Sequence, residues 1–575
     1  MKIENQKEHS YILFICLAAF VVMLPIVFLG IPSGNDLPQH YQFAQTYHNS
    51  IIGGDGFPSW SDKENYGFGS IGIRFYPPFS YCVLAAFRLL CGNWFDASWV
   101  TFVFWMALGC GGVYFWSRRW LSPKTSLIAA LFYAVIPYHL SQLYSFSFFY
   151  ADFAGSAVLP FCFAFLTRIL DGEKKSDILG LAVAFTLLVL THIPTTLIGS
   201  LSLAFYALLF VRGKNFWRGA LKAGAAGGLG IAASAYFWLP MISEMSWLNH
   251  ASDRYSTGHY GFANRFFPLY FHALPTDNPK NFLQSDVMIF LCLLFLVSAV
   301  VFLIYPNRTS GETSSGSPLL RKILPLGLFG FLMLTPVSTP IWKMLPPLQK
   351  TQFPLRWMAI VSMCGSIVLA GVIHFLLREK LLNQRTWSYI VTIFACVIFL
   401  YNCIYVWDPG AFIPIARDKF QTQMQALPAE RNNTFWWSIW SNEHALKNKE
   451  KVLAEGRPAS ITEWQPEVRT FFLVEGAPVN VRIATFYYPY WKAEVNGRRV
   501  EVGMDDNGAI LIPLSAERSS VKLFFEEPPK VKFAVLVSLL VWILFGAWGM
   551  FILLQKALFA PSRSIDELAA PQPAN

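Results

Sequence analysis

The sequence predicts a polytopic α-helical membrane protein that carries a mostly β domain outside the membrane near its C-terminal end. Of its 575 residues, 54% are hydrophobic and only 14% are charged, whereas soluble domains carry about 25% charge. Apolar runs of about 20 residues, the length that crosses a bilayer as a helix, recur along the chain. Between residues 407 and 530 they give way to polar sequence with alternating apolar residues, a pattern typical of strands.

Twelve segments are predicted to cross the membrane. Lys and Arg concentrate in alternate loops, and the positive-inside rule places those loops and both termini in the cytoplasm. The net charge of +10 therefore indicates membrane orientation and not a nucleic-acid surface. The first apolar run exceeds the roughly 7–15 residues of a signal peptide, so we expect it to remain uncleaved. The predicted spans are 11–31, 98–117, 124–137, 152–170, 178–191, 194–211, 219–242, 286–305, 322–336, 355–377, 387–406 and 531–554.

One further apolar segment, Phe79–Cys91, is too short for a span and follows Tyr76-Pro77-Pro78. Counting it as a span would move Arg118 and Arg119 to the outer side, so it is predicted to be a half-helix at the outer face. The nine cysteines lie singly, mostly in apolar segments and without CxxC spacing. They are expected to be core residues and not metal ligands.

The predicted organisation has four parts. Residues 1–406 form a transmembrane domain, and 407–530 form an extracytoplasmic domain with a helical first part and a β-sandwich over 469–527. A final span at 531–554 precedes a cytoplasmic tail, 555–575. Within the sandwich, Asn496-Gly497 and Asn507-Gly508 are predicted to be two-residue type I′ hairpin turns, since both residues of such a turn need positive φ.

The first candidate site residues follow the first span directly, where the chain contains Asp36 and, four residues later, His40. If the segment after Pro38 is helical, Asp36 lies at its N-terminus and His40 about one turn further on. A carboxylate at the mouth of a membrane bundle is a functional candidate because its desolvation is costly. Asp36 could instead be a simple helix cap.

Six more charged or titratable residues lie in predicted outer loops or at their ends, and four of them also have a structural interpretation. Asp152 could cap the span that it begins, His192 could be a turn residue, and Glu244 could face water at the interface. Arg356 could extend its side chain from the end of a span towards water. The six residues are Arg74, Asp152, His192, Glu244, Arg254 and Arg356.

Several short strings, taken in their order along the chain, carry a resemblance to known families. They are Asp36-x3-His40, the turn Gly54 to Trp60, Arg74-Phe75-Tyr76-Pro77-Pro78, Leu190-Thr191-His192-Ile193-Pro194, Trp238-Leu239-Pro240, Gln352-Phe353-Pro354-Leu355-Arg356 and Tyr487-Tyr488-Pro489-Tyr490-Trp491-Lys492. The pattern resembles the GT-C superfamily of polytopic membrane glycosyltransferases. It is most similar to the bacterial membrane proteins labelled 6-pyruvoyl-tetrahydropterin synthase-related and YfhO-like. Nothing in the residues supports pterin chemistry.

The resemblance implies a GT-C-like helical bundle in a bacterial cytoplasmic membrane. It also implies transfer of a sugar from a polyprenyl-phosphate donor to a lipid, glycan or protein acceptor outside. Asp36 would be the base, with His40 and Asp152 as further catalytic residues. The residues expected to bind substrate are Arg74, Glu244, Arg254, Arg356 and His192.

No cofactor is expected. The first outer loop has one acid followed by His and not an acidic pair, so a divalent metal is possible but not favoured. Two other functions stay open. One is a non-catalytic scaffold for cell-envelope glycan assembly, and the other is a transporter of lipid-linked sugar, which would favour ionisable residues deep within spans.

Overall fold

The computed structural model describes residues 2–249, 261–266, 319–378, 413–430 and 434–558, except 55, 145–147, 173, 175 and 214, with scattered positions in 292–300 and 383–400. Most of the predicted spans 286–305 and 387–406, and the tail beyond residue 558, lie outside the described residues.

Helices make up the described transmembrane part. The first eleven are α1 (Lys2–Leu29), α2 (Leu37–Gly53), α3 (Phe79–Cys91), α4 (Trp94–Ser117), α5 (Pro123–Val135), α6 (Pro137–Tyr144), α7 (Tyr150–Leu170), α8 (Ser176–Val189), α9 (Ile193–Leu208), α10 (Phe216–Ala233) and α11 (Ala235–Glu244). Later helices are Leu324–Leu334, Thr339–Met344, Met358–Arg378, Arg417–Ala426 and Pro529–Leu558.

Six helices within the described ranges are long and apolar enough to cross a membrane, or eight if each of two bent pairs counts as one span. The prediction of a polytopic helical membrane protein is therefore confirmed, while the number twelve stays a prediction. α8 and α9 have 14 and 16 residues, shorter than the about 20 of a full crossing. Phe79–Cys91 is one helix of 13 residues with the predicted bounds.

The predicted span 219–242 consists of two helices, α10 and α11, and the chain bends by 71° between them. The break falls at Ser234, which separates the two helices. Breaking a helix in a membrane frees backbone groups that need other partners. Ser538 of the last helix supplies them, donating to the Ala232 carbonyl (3.2 Å) and accepting from the Tyr236 amide (2.9 Å).

The C-terminal domain contains two antiparallel sheets. Strands β1 (Ile31–Pro32) and β2 (Pro414–Ile415) form a separate pair upstream of it. One sheet has the order β3-β6-β10-β9 and the other β4-β5-β11-β7-β8. The strands are β3 (Val452–Leu453), β4 (Ala459–Trp464), β5 (Val468–Leu473), β6 (Val479–Phe486), β7 (Trp491–Val495), β8 (Arg498–Val500), β9 (Gly503–Met504), β10 (Ala509–Leu514) and β11 (Ser519–Phe525).

Inward residues of both sheets, such as Phe471, Ile483, Ile510 and Leu523, belong to one buried cluster. This is the arrangement of a β-sandwich. The sandwich begins earlier than the predicted residue 469, because β4 was missed. Its side chains are mostly exposed on both faces, so the strand lacks the alternation that identifies its neighbours.

One of the two predicted type I′ turns has the expected geometry. Asn496 and Gly497 have φ of 50° and 75°, but at the second site only Gly508 has positive φ (83°). There the Asp505 carboxylate accepts from the amides of Asn507 and Ala509 (2.9 and 2.8 Å). Asp505 thus builds a longer Asx turn, and the two-residue prediction for Asn507-Gly508 is wrong.

The C-terminal domain is fixed to the loop that follows α1. Strand β1 pairs with β2, so the chain after α1 is held against the segment that leads into this domain. From α2, the Gln42 side chain donates to the Leu427 carbonyl (3.1 Å) and the Gln45 side chain to the Met424 carbonyl (2.7 Å). These contacts set the position of α2, which carries the first candidate residues.

Candidate active site

Asp36 lies at the N-terminus of α2, as predicted, but its side chain makes no capping hydrogen bond. The alternative in which Asp36 only caps this helix is therefore wrong. Its carboxyl is partly buried, and desolvation raises its pKa from 3.8 to about 6, while the nearby Arg356 guanidinium acts in the opposite direction. Asp36 is thus a carboxylate with a raised proton affinity beside a cation.

His40 is buried on the inner side of α2. Its Nδ1 lies 2.5 Å from the Tyr81 hydroxyl, and the ring is also hydrogen-bonded to the backbone of Phe148. Burial, and to a smaller extent the charge of His192, lowers its pKa to about 3. His40 is therefore neutral near pH 7, and its bonds fix the ring.

Phe148 itself has φ of 55°, an uncommon conformation for a bulky residue. Such strain persists where the surroundings hold the backbone in place. Here it presents the Phe148 backbone to His40.

Asp152, His192 and Arg356 come together although they are far apart in sequence. The Asp152 Oδ1 accepts from the Thr195 hydroxyl (2.9 Å) and lies 3.4 Å from His192 Nδ1. Its Oδ2 is 3.7 Å from Arg356 Nε. Asp152 and His192 are 3% exposed, so the carboxylate is held by neighbours in a site with little water.

Local sequence explains this convergence. Asp152 occupies the first turn of α7, and His192 is the N-cap of α9, where its side chain accepts from the Thr195 amide. Gly155 permits the close approach of the two helices, since a Cβ there would meet Thr195 and His192 at 3.1 and 3.2 Å. The turn role proposed for His192 is thus real, and it coexists with the contact to Asp152.

Arg356 precedes the helix Met358–Arg378. Its Nη1 donates to the Thr351 carbonyl (2.5 Å), and the guanidinium packs near the rings of Phe149 and Phe353. Its Nε has no hydrogen-bond partner within the part of the chain that the structure describes. The guanidinium therefore keeps unused donor capacity towards Asp36 and Asp152.

Sequence reasoning missed Tyr76 as a member of this group. The phenol is close enough to Asp36, Asp152 and Arg356 for all three charges to act on it, and burial, with the two carboxylates, raises its pKa. In the sequence, the Tyr76-Pro77-Pro78 string indicates a helix start and forms part of the family resemblance. The string does not show which way the tyrosine points.

Arg74 and Glu244 lie in a different, closed cluster. Arg74 binds Glu244 (Nε to Oε2, 2.6 Å) and Glu527 (Nη2 to Oε2, 2.8 Å). The hydroxyls of Tyr488 and Tyr490 donate to the two oxygens of Glu244 at 2.9 and 3.0 Å. The expectation that Arg74 and Glu244 bind substrate finds no support here, because their polar atoms are already taken by each other and by Glu527, Tyr488 and Tyr490 of the C-terminal part.

Arg254 lies outside the described residues. Within the described ranges, no group of three or more His, Cys, Asp or Glu side chains is placed to hold a metal ion. Metal independence stays a prediction.

More than half of the chain matches a known protein family. Residues 73–408 match the model of the 6-pyruvoyl-tetrahydropterin synthase related domain, a membrane protein family. The chain belongs to this family. No protein with curated function matches the sequence.

The solved structures to which this chain is similar have low sequence identity to it. The oligosaccharyltransferase of Archaeoglobus fulgidus in its apo form is 14% identical over 74% of this chain and 56% of its own, with a TM-score of 0.41. The same archaeal protein in complex with Zn and sulfate is 14% identical over 69% of this chain and 53% of its own, with a TM-score of 0.43. ArnT from Cupriavidus metallidurans bound to undecaprenyl phosphate is 14% identical over 62% of this chain and 77% of its own, with a TM-score of 0.31. This chain spans about half the length of the archaeal protein.

Proposed function

We propose that this protein is a membrane glycosyltransferase that moves a sugar from a polyprenyl-phosphate donor to an acceptor hydroxyl on the outer side of the membrane. The observation that carries the proposal is the uncapped, partly buried Asp36 beside the incompletely bonded Arg356. A base and a cation in one poorly hydrated site are what the displacement of a sugar phosphate requires.

In the proposed reaction the acceptor oxygen forms a bond to C1 of the sugar, and the bond from C1 to the phosphate oxygen breaks. Asp36 takes the proton of the acceptor hydroxyl. The leaving lipid phosphate gains negative charge, which the guanidinium of Arg356 stabilises, since its fork of donors suits phosphate oxygens. Proton, electron pair and leaving group are thus accounted for without a cofactor, and we propose that no metal is required.

Asp152 is proposed as a positioning residue. It contacts His192, Thr195 and Arg356, so it orients the cation and compensates its charge. His40 is neutral and bonded, which suits a role in holding the N-terminus of α2 and not in binding phosphate by charge.

The proposed setting is the bacterial cytoplasmic membrane, with both termini in the cytoplasm. The outer domain is proposed to help bind a lipid, glycan or protein acceptor. Its attachment to the first loop through β1, β2 and the Gln42 and Gln45 contacts supports this, because the domain shares the platform that carries Asp36.

The test uses purified full-length protein in lipid nanodiscs with a panel of radiolabelled polyprenyl-phosphate hexoses, with membrane extract as acceptor source. We expect wild-type protein to release polyprenyl phosphate and form a labelled product. Asp36→Asn should lower this rate by about 10²–10⁴-fold, the usual contribution of a general base, with its thermal midpoint little changed. Adding EDTA should have no effect.

The matched control is Asp62→Asn, a partly buried carboxylate of the same outer loop, which should leave transfer unchanged. Full activity in Asp36→Asn would contradict the assignment of the base. Movement of intact donor across liposomes without product would instead identify a transporter. Absence of both, with glycan assembly in cells depending on the protein, would favour a scaffold.

A further inference from the structure

An open cavity of about 390 Å³ lies apart from the Asp36 group. It is bordered by α2, the junction of α3 and α4, and the helix Arg417–Ala426. Its walls include Gln45, His48, Lys63, Arg88, Trp94 and Gln425. His48 follows His40 by eight residues on α2, which places the cavity about 12 Å along the helix axis from the proposed active site.

Two cations of this cavity have no anionic partner. Within the described ranges, neither Arg88 nor Lys63 forms an ion pair, and the buried Arg88 Nε has no hydrogen bond. Asp96, two residues after the lining Trp94, is already bound by Arg417 at 2.6 and 2.9 Å and by Asn93 at 2.7 Å. The charge of Asp62 acts on Lys63 only at a distance. Arg88 therefore brings positive charge to the cavity that no ion pair among the described residues neutralises, which favours an anionic occupant.

Gln45, which lines the cavity, has a side-chain oxygen that lacks a donor. Gln45 is 4% exposed, and its amide nitrogen donates to the Met424 carbonyl. Its Oε1 is buried without a partner in the described part of the molecule. A buried unsatisfied acceptor costs free energy unless a ligand or water supplies a donor. A hydroxyl group of an occupant would satisfy it.

Trp94 adds an aromatic surface to this wall. The Arg88 guanidinium lies 5.7 Å from its ring centre, and the His48 ring 5.3 Å. Burial, with a smaller effect of Arg88, lowers the pKa of His48, so a neutral imidazole can donate to or accept from a hydroxyl. An aromatic face suits the apolar C–H face of a sugar ring or a short carbon chain.

The helix ends beside the cavity are apolar. Ile52 at the end of α2 and Leu90 at the end of α3 are 64% and 80% exposed. Exposed aliphatic side chains beside the cavity are what a surface in contact with lipid requires, which supports a position near the membrane.

We propose that this cavity is a binding site for a hydroxyl-bearing phosphate, either a sugar phosphate or the phosphoglycerol head group of a lipid. Arg88 and Lys63 bind the phosphate, Gln45 accepts from a hydroxyl, and Trp94 supports the carbon skeleton. The site needs no turnover and stands independently of the proposed reaction.

The test measures binding of glucose 1-phosphate by calorimetry to full-length protein in phosphatidylcholine nanodiscs. We expect the double variant Arg88→Gln, Lys63→Gln to weaken binding at least tenfold, as loss of charged hydrogen bonds does. A control pair outside the cavity, Lys447→Gln with Arg498→Gln, should bind as wild type. The single variant Lys63→Glu changes an exposed position and should also weaken binding, which guards against a folding defect in the double variant.

Failure of wild-type protein to bind glucose 1-phosphate at concentrations up to about 10 mM would overturn the proposal, as would equal binding by the double variant. Equal affinity for glucose would contradict the phosphate contact, and equal affinity for inorganic phosphate would contradict the hydroxyl contact. Loss of glucose 1-phosphate binding in phosphatidylglycerol nanodiscs would support the site and identify lipid as the occupant. Retained binding there would support a soluble sugar phosphate. Asp36→Asn should bind normally, which separates this site from the proposed reaction.

Discussion

Two arginine–carboxylate clusters of this protein differ in how completely their atoms are used. In the cluster of Arg74 and Glu244, each carboxylate oxygen of Glu244 accepts from an arginine nitrogen and a tyrosine hydroxyl. In the cluster of Asp152 and Arg356, the contact is 3.7 Å long and the Arg356 Nε lacks a hydrogen bond within the described ranges. A saturated buried pair fixes structure, whereas an incompletely used one can respond to a ligand.

The location of the two clusters agrees with this difference. Arg74 and Glu244 join the first outer loop and α11 to Glu527, at the end of the β-sandwich. Asp152 and Arg356 lie at helix starts, close to the partly exposed Asp36. The first cluster therefore connects domains, and the second borders the group that we propose to react.

The largest effect is expected from Glu244→Ala. It leaves Arg74 buried beside Glu527 alone and leaves two tyrosine hydroxyls without an acceptor, so we expect the folded state to lose about 3–5 kcal/mol. A lower thermal midpoint and easier proteolysis between sandwich and membrane helices should show this. The matched control is Glu526→Ala, whose carboxylate pairs with Arg499 on the surface and should change neither measurement. An unchanged midpoint in Glu244→Ala would remove the structural interpretation of this cluster.

A smaller effect is expected from Asp152→Asn, measured as transfer rate. Without the carboxylate, Arg356 and His192 lose their orienting partner, and we expect a fall of about a hundredfold, typical of a lost preorganised charge contact. The fall should appear in kcat more than in KM. Asp177→Asn is the control, since that buried carboxylate pairs with Arg168 at the far end of α7 and should keep full activity. Equal losses in both variants would indicate a general folding defect.

The smallest effect is expected from a change of pH, measured as the transfer rate and the stability of the fold. With the pKa of Asp36 near 6, the base form is lost below that value, so the rate should fall about tenfold per pH unit below 6 and level off above it. Because the folded pKa is raised above 3.8, Asp36 stabilises the fold most below pH 4, and this contribution is lost as the pH rises through 6. Both dependences should disappear in Asp36→Asn. A rate that is flat from pH 5 to 8 in wild-type protein would contradict the role of Asp36.

Sequence reasoning was most successful where periodicity reports burial directly. The bounds of α3 agree with the predicted segment, and β6 and β7 lie within the predicted sandwich, because apolar runs and alternation mark buried faces. It failed for β4, whose two faces are mostly exposed, and at Asn507-Gly508, where the side chain of Asp505 selects a different turn. In both cases the deciding contacts leave no periodic trace.

The candidate site was likewise predicted only in part from the sequence. The chain by itself determined that this is a polytopic membrane protein with a C-terminal β domain, and it marked Asp36, Asp152 and Arg356 as charged residues at helix ends. Composition and hydropathy carry that information because lipid excludes charge along a whole segment. Only the tertiary structure separated Arg74 and Glu244 from that group and brought in Tyr76. Which charges meet depends on the packing of helices distant in sequence, and no local pattern encodes it.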